Sequence, residues 1–143
     1  MSRIGTYGFG KVVFLVDGVP LVGLADGDDI ISVDRNKETF SLLIGGQGDA
    51  AAIYDSDRSG VATVKLLQTS TSNAILSAKY KIQEAGVLSP IPIAIKDTSG
   101  LDLVTGDAAF IVKPPAMAYG QGHNAREWSF VIPTLTIFAG GTV

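Results

Sequence analysis

Apolar and polar residues alternate along most of the chain, and at one place the alternation gives way to a longer period. "VVFLVDGVPLVG" sets Asp17-Gly18 between two apolar arms, a hairpin signal. In "IISVDRNKETFSLLIG", Ile31 and Val33 share one parity, and Phe40, Leu42 and Ile44 share another. Its charged centre "DRNKE" reads as a solvated turn or an extended hairpin tip. "AAAIYDSD" follows, then "GVATVKLL", where Val64 and Leu66 alternate with Thr63 and Lys65.

The period changes inside "GVATVKLLQTSTSNAILSAKYKIQEAG". "TSTSN" offers several hydroxyls able to accept from a free backbone N–H at a helix start. Ile75, Ala78 and Ile82 then fall at i, i+3 and i+7, and Leu76 and Tyr80 at i, i+4, an amphipathic stripe. Lys79, Lys81 and Glu84 take the other side, and Gly86 suits a helix stop. The pattern predicts one helix, about Ser72 to Ala85.

Strand patterns then return. Ile91, Ile93 and Ile95 alternate with Pro92, Ala94 and Lys96. Pro92 cannot donate to a ladder, so this strand is expected to start there or to lie at a sheet edge. "DTSG" reads as a turn, "LDLV" and "AAFIVK" as strands stopped by Pro114-Pro115. In "REWSFVIPTLTIF", Trp128, Phe130 and Ile132 share one face, and after Pro133 the apolar parity passes to Leu135 and Ile137, which suggests a bulge or bend. Eight or nine short strands with one helix make a mainly β domain over residues 1–143, a sandwich or barrel with the helix packed on it.

Composition adds two constraints. Of 143 residues, 46% are hydrophobic and 17% charged, so a packed core is expected rather than disorder. A mean hydropathy of +0.32 leaves either a large core or apolar surface buried against other chains. No run approaches the ~18 apolar residues of a membrane span, so no membrane insertion is expected. "VVFLV" is too short for a secretory core, and there is no cysteine, so synthesis in the cytosol without disulfides is expected. The net charge is −3, with no Lys/Arg run to neutralise phosphates, which makes tight nucleic-acid binding unfavourable.

Chemical motifs fail on context. Gly46-x-Gly48-x-x-Ala51 follows a strand, but a dinucleotide loop needs a helix next and an acid about 20 residues on. Here "DSDRSG" comes first and "KLLQ" occupies the acid's place. Asp55, Asp57, Ser59 and Gly60 match the opening of a calcium loop, but position 12 is Leu66 instead of Glu, so a β-turn with Gly60 left-handed is the better account. Asp26, Asp28 and Asp29 read as an acidic surface turn. His123, the only histidine, sits in a glycine-rich loop and reads as exposed. No catalytic residue, metal site or cofactor is assigned.

One resemblance joins these pieces. "DRNKETFSLLIGGQGDAA" followed by "SGVATVKLLQTSTSNAILSAKY" resembles the tail tube proteins of contractile-tailed bacteriophages. Thr63, Val64, Lys65, Leu66, Leu67, Thr69, Ser70, Asn73, Leu76 and Ser77 carry the strand-to-helix step, and Glu127, Trp128 and Phe130 the final "EW-F" strand. The likeness covers about Val33 to Phe138.

It implies a β-sandwich-like subunit with one flanking helix. It also implies hexameric rings stacked into a hollow tube inside a contractile sheath in the virion tail. The implied partners are the chain itself and the sheath, baseplate, tail terminator and tape measure proteins, with DNA only in transit. The implied role is structural and not enzymatic. A small-ligand-binding β-barrel is the second reading, and a hydrolase with an unrecognised site a distant third.

Within the first reading, the strands Ile30–Asp34 and Glu38–Ile44 are expected to pair and to line the lumen. Their polar parity would place Ser32, Asp34, Thr39 and Ser41 inward. Arg35, Asn36, Lys37 and Glu38 are expected to contact a neighbouring subunit or the next ring. Lys79, Lys81 and Glu84 are expected on the sheath side. Reversing both charges, K37E with E38K, should impair polymerisation; normal tubes from that variant, seen by negative-stain microscopy, would remove the segment from the interface.

Overall fold

The computed structural model describes residues 8–86, 89–98 and 100–140. Among them are ten strands, one α-helix and a 3-10 turn at Phe9–Lys11. The strands are β1 (Val12–Val16), β2 (Val19–Pro20), β3 (Ile31–Arg35), β4 (Phe40–Ile44), β5 (Ala50–Tyr54), β6 (Gly60–Leu66), β7 (Ile91–Asp97), β8 (Leu103–Ile111), β9 (Arg126–Ile132) and β10 (Leu135–Phe138). Helix α1 is Ser72–Glu84, one residue short of the expectation. The fold is mainly β, as the alternation predicts.

Eight strands form one antiparallel sheet in the order β2-β1-β7-β8-β9-β6-β3, with β10 also on β8. Strand β8 joins two halves. Leu103–Gly106 pairs with both β7 and β10, while Phe110 and Ile111 pair with β9. The sheet folds over so that Phe14 of β1 meets Phe130 of β9 with ring centroids 5.8 Å apart. Inward residues at every second position fill the space between: Ala62, Val64 and Leu66 of β6, Ile91, Ile93 and Ile95 of β7, and Trp128, Phe130 and Ile132 of β9. Gly106 allows this closure, because a Cβ there would stand 2.6 Å from Ile132 Cγ2.

The β1–β2 hairpin forms as Asp17-Gly18 predicts. Both residues have positive φ, 52° and 79°, the twist that suits a two-residue turn. Three expectations change elsewhere. Pro92 is neither at an edge nor first in its strand: β7 is central, and Pro92 lies just past the last β1 pair, Val16↔Ile93, where its carbonyl accepts from the Asp17 N–H (2.8 Å). "LDLV" and "AAFIVK" contribute to one bent strand, not two. "REWSFVIPTLTIF" divides in two at Pro133-Thr134, and β10 moves to the other half of the sheet beside β8. In the expected turn at 97–100, the Gly100 N–H donates to Asp97 O (3.1 Å), and Ser99 lies outside the described residues.

Helix α1 is rotated from the expected stripe. Leu76 is buried and Tyr80 packs on the core, but Ile75 and Ile82 are turned outward. Asn73 and Gln83 take inward positions because buried polar groups need them. Trp128 Nε1 donates to Asn73 Oδ1 (2.9 Å), and Asn73 Nδ2 donates to Leu67 O (2.9 Å) and Ser70 O (3.2 Å). Gln83 Oε1 accepts from the Ile111 N–H (3.1 Å), and its Nε2 donates to Ser89 O (2.9 Å). Unmet hydrogen bonds inside a core cost more than exposing an isoleucine on a helix. Of the "TSTSN" hydroxyls, Ser70 serves the helix start, accepting from the Ser72 N–H (3.2 Å), while the Ser72 hydroxyl accepts from the Val22 N–H (2.9 Å).

Asn73→Leu should lower stability by about 2–4 kcal/mol, because Trp128 Nε1 and Leu67 O each lose a partner worth about 1–3 kcal/mol when buried. Urea unfolding measures it, and a loss within error of zero would show that the Trp128–Asn73 bond does not anchor the helix.

Candidate functional site

Strands β4 and β5 stand apart from this core. They pair only with each other, from Phe40↔Tyr54 to Ile44↔Ala50, and every residue in both is exposed. Alternation puts Phe40, Leu42, Ile44, Ala50, Ala52 and Tyr54 on one face, and Ser41, Leu43, Ala51 and Ile53 on the other. Both faces are therefore apolar, and neither strand carries a charge. Leu42 is 68% exposed and Phe40 61%. The Phe40 and Tyr54 rings meet at 5.5 Å. The glycine run forms the tip, where Gly45 N–H donates to Asp49 O (2.7 Å) and Gly48 takes a φ of 88°. It is a turn, and no helix follows it.

The ribbon is an outward continuation of β3 and β6, whose last pair is Arg35↔Gly60. The expected pairing of Ile30–Asp34 with Glu38–Ile44 does not occur. These segments run one after the other along one side of the arm, and their partners are β6 and β5. Between them, residues 36–39 face residues 55–59, four against five, which is a bulge at the base of the arm.

Acceptors at this base hold it together. Asn36 donates from its N–H to Ser59 O (3.1 Å) and from Nδ2 to Ser59 Oγ (3.0 Å). The Asp55 N–H donates to Thr39 O (2.8 Å). Asp55 Oδ1 accepts from the Asp57 N–H (2.9 Å), and Asp57 Oδ1 from the Ser59 N–H (2.8 Å). Arg58 donates to Asp55 O and to the Tyr54 hydroxyl, with its guanidinium 5.3 Å from the Tyr54 ring centre. Lys37 lies 4.0 Å from Asp55. The calcium-like "DSDRSG" is thus a pair of side-chain turns. Gly60 is a buried strand residue instead of a left-handed one: a Cβ there would meet Asp34 O at 2.6 Å.

The expected site residues fall in three places. Ser32 and Asp34 are exposed on the side of β3 opposite Ile31, Val33 and Arg35, beside Thr63 and Val61 of β6. Thr39 is half-buried at the arm's base, and Ser41 shares a side with Leu43 and Ile53, so the polar parity does not continue across the bulge. Arg35 turns partly inward and donates to Leu135 O (2.7 Å), while Asn36, Lys37 and Glu38 are exposed. Lys81 and Glu84 are exposed on α1, whereas Lys79 is drawn toward Asp17 (3.2 Å). His123 is exposed, and among the described residues no three acidic, histidine or cysteine side chains group as a metal site would need. Sequence reasoning missed the exposure of Phe40, Leu42, Leu43, Ile44, Ile53 and Tyr54. The available signal was apolar residues at both parities of two strands joined by a glycine loop.

Residues 6–140 match the family described as Bacteriophage PhiTE tail tube protein. The chain belongs to this tail tube family. A relative, "Structural protein ORF10" of Pseudomonas phage KPP10, is 28% identical over 148 residues, covering 98% of this chain and 85% of the relative. The fold of the tail tube chain is also found in solved structures at low identity. The anti-feeding prophage cap (AFP tube terminating cap) matches with a TM-score of 0.63 at 14% identity, over 100% of this chain and 95% of that one. The PVC sheath-tube complex of an extracellular contractile injection system, in its extended state, matches with a TM-score of 0.63 at 12% identity, over 94% and 92%. The tail tube chain is therefore a phage structural protein.

Bonds from the Ser59 hydroxyl and then its N–H hold the Asp57 carboxyl below its ordinary value of 3.8. A depressed carboxylate stabilises the fold above the unfolded value and loses that contribution as pH falls through the folded one. The Ser59 amide should stay protected from hydrogen exchange at pH 5–8 and lose protection only below about 3.8. Asp57→Ala should lose it at every pH, and unchanged protection in that variant would show that the turn holds without the carboxylate.

Proposed function

We propose that this tail tube chain is the repeating subunit of a hollow tube built from stacked hexameric rings, a conduit for the tape measure protein and then for DNA. The observation that carries this reading is the β4–β5 ribbon, which projects from a finished core and offers apolar residues on both faces. A subunit of a polymer needs such a surface, whereas a monomer is penalised for it. The exposed side of β3, with Ser32 and Asp34, and the chain's acidic balance suit a lumen wall that repels phosphate. Asn36, Lys37 and Glu38 lie at the arm's base, beside any copy that receives the ribbon, with Arg35 bracing it.

The sheath, baseplate and tail terminator are the further partners. The exposed Lys81 and Glu84, with Lys79 next to them, are the candidate sheath contacts. That a structure of similar fold is a sheath-tube complex supports the sheath as a partner. The role is structural and non-catalytic, in the virion tail, after synthesis in the host cytoplasm.

A ligand-binding barrel is less well supported, because Trp128, Phe14 and Phe130 fill the interior. A groove of about 560 Å3 beside Phe9, Val12 and Leu21 is an open surface feature.

Size-exclusion chromatography and negative-stain microscopy of the purified chain test the proposal. Rings or tubes are expected, with K37E/E38K shifting the population toward free subunits. A clean monomer under all conditions that binds a small apolar ligand would favour the barrel.

A further inference from the structure

We propose that the β4–β5 ribbon is clasped on both faces at once by two different copies of this chain, so that a pair of subunits cannot complete the contact. The inference rests on the tube reading and adds to it who holds which face.

A two-stranded ribbon is marginal by itself in water, and among the described residues this one pairs with no other strand and has every residue exposed. With about 200 Å2 for a large side chain in full exposure, Phe40, Leu42, Ile44 and Tyr54 leave roughly 500 Å2 open, and Leu43 and Ile53 about 200 Å2 more. Together these approach the ~800 Å2 that each partner gives to a stable interface. The first group alone is as large as the largest apolar patch on a typical monomer, roughly 300–600 Å2, and the second adds apolar surface on the reverse.

The two groups point in opposite directions. A single flat partner that covers Phe40, Leu42 and Ile44 leaves Leu43 and Ile53 in water. The small residues Ala50, Ala52 and, on the reverse, Ala51 keep both faces flat enough for close approach. At the base, the ring pair Phe40–Tyr54 with Arg58 over it supplies the side-chain types enriched where binding energy concentrates. The charges of Lys37, Asp55 and Asp57 fall at the rim and not at the centre. A ribbon without a solvated face needs two receiving surfaces. In a polymer of identical subunits these belong to two neighbours, and growth then requires a nucleus larger than a dimer.

The chain contains no cysteine, so single thiols at adjacent ribbon positions report on the two faces separately. L42C and L43C should both react with maleimide in the free subunit. In tubes verified by microscopy, both rates should fall at least about tenfold, as in the water-excluded centre of an interface. Carbene footprinting of the unsubstituted chain reads the same faces without a mutation, at Phe40 and Leu42 against Leu43 and Ile53. Photo-crosslinkers at positions 42 and 43 should join to different segments of neighbouring copies. Protection at only one position in intact tubes, or both crosslinks landing on one segment, overturns the two-sided clasp and leaves the tube reading standing. Absence of any polymer overturns both.

Discussion

The indole N–H of Trp128 is buried in the core and needs an acceptor, and Asn73 supplies it from the first turn of the helix. That requirement sets how the helix lies on the sheet. Asn73 also answers the carbonyls of Leu67 and Ser70, which close the turn between β6 and the helix. Gln83, ten residues on and on the same side, meets the N–H of Ile111. With both ends fixed by polar bonds, Leu76 and Tyr80 face the sheet, and Ile75 and Ile82 face away from it. The strands beneath keep their order because Trp128, Phe130 and Phe14 form the contact between the two halves.

This closed core frees the arm to do something else. Strands β3 and β6 belong to the sheet, but their extensions β4 and β5 leave it after a bulge stiffened by Asn36, Asp55, Asp57 and Arg58. In a monomer an apolar ribbon on a rigid base is a hazard. In the tube proposed above it would be a joint, and a fixed base means that little order has to be gained when a neighbour is met.

The same arm shows why the candidate site was only partly legible. Phe40, Leu42 and Ile44 alternate with Ser41 and Leu43, and alternation says that a strand has two faces without saying what lies against either. The bulge at 36–39 against 55–59 also broke the parity rule that grouped Ser32 and Asp34 with Thr39 and Ser41. The resemblance to tail tubes was carried by the strand-to-helix step from Thr63 to Ser77 and by Glu127, Trp128 and Phe130. Several of those residues now have a physical reason: Asn73 and Trp128 are bonded to each other, and Leu66 and Leu76 lie in the core.

By itself the sequence determined the local elements: the Asp17-Gly18 hairpin, the alternation of β6, β7 and β9, the change of period at the helix and the failure of every catalytic motif. These depend on neighbours within a few residues, where backbone geometry and side-chain period decide. Only the tertiary structure decided the rotation of the helix, the central place of Pro92, the division at Pro133 and the exposure of the ribbon. Each of these depends on which distant group needs a hydrogen bond or on which surface is left when the core is full, and no local pattern encodes either.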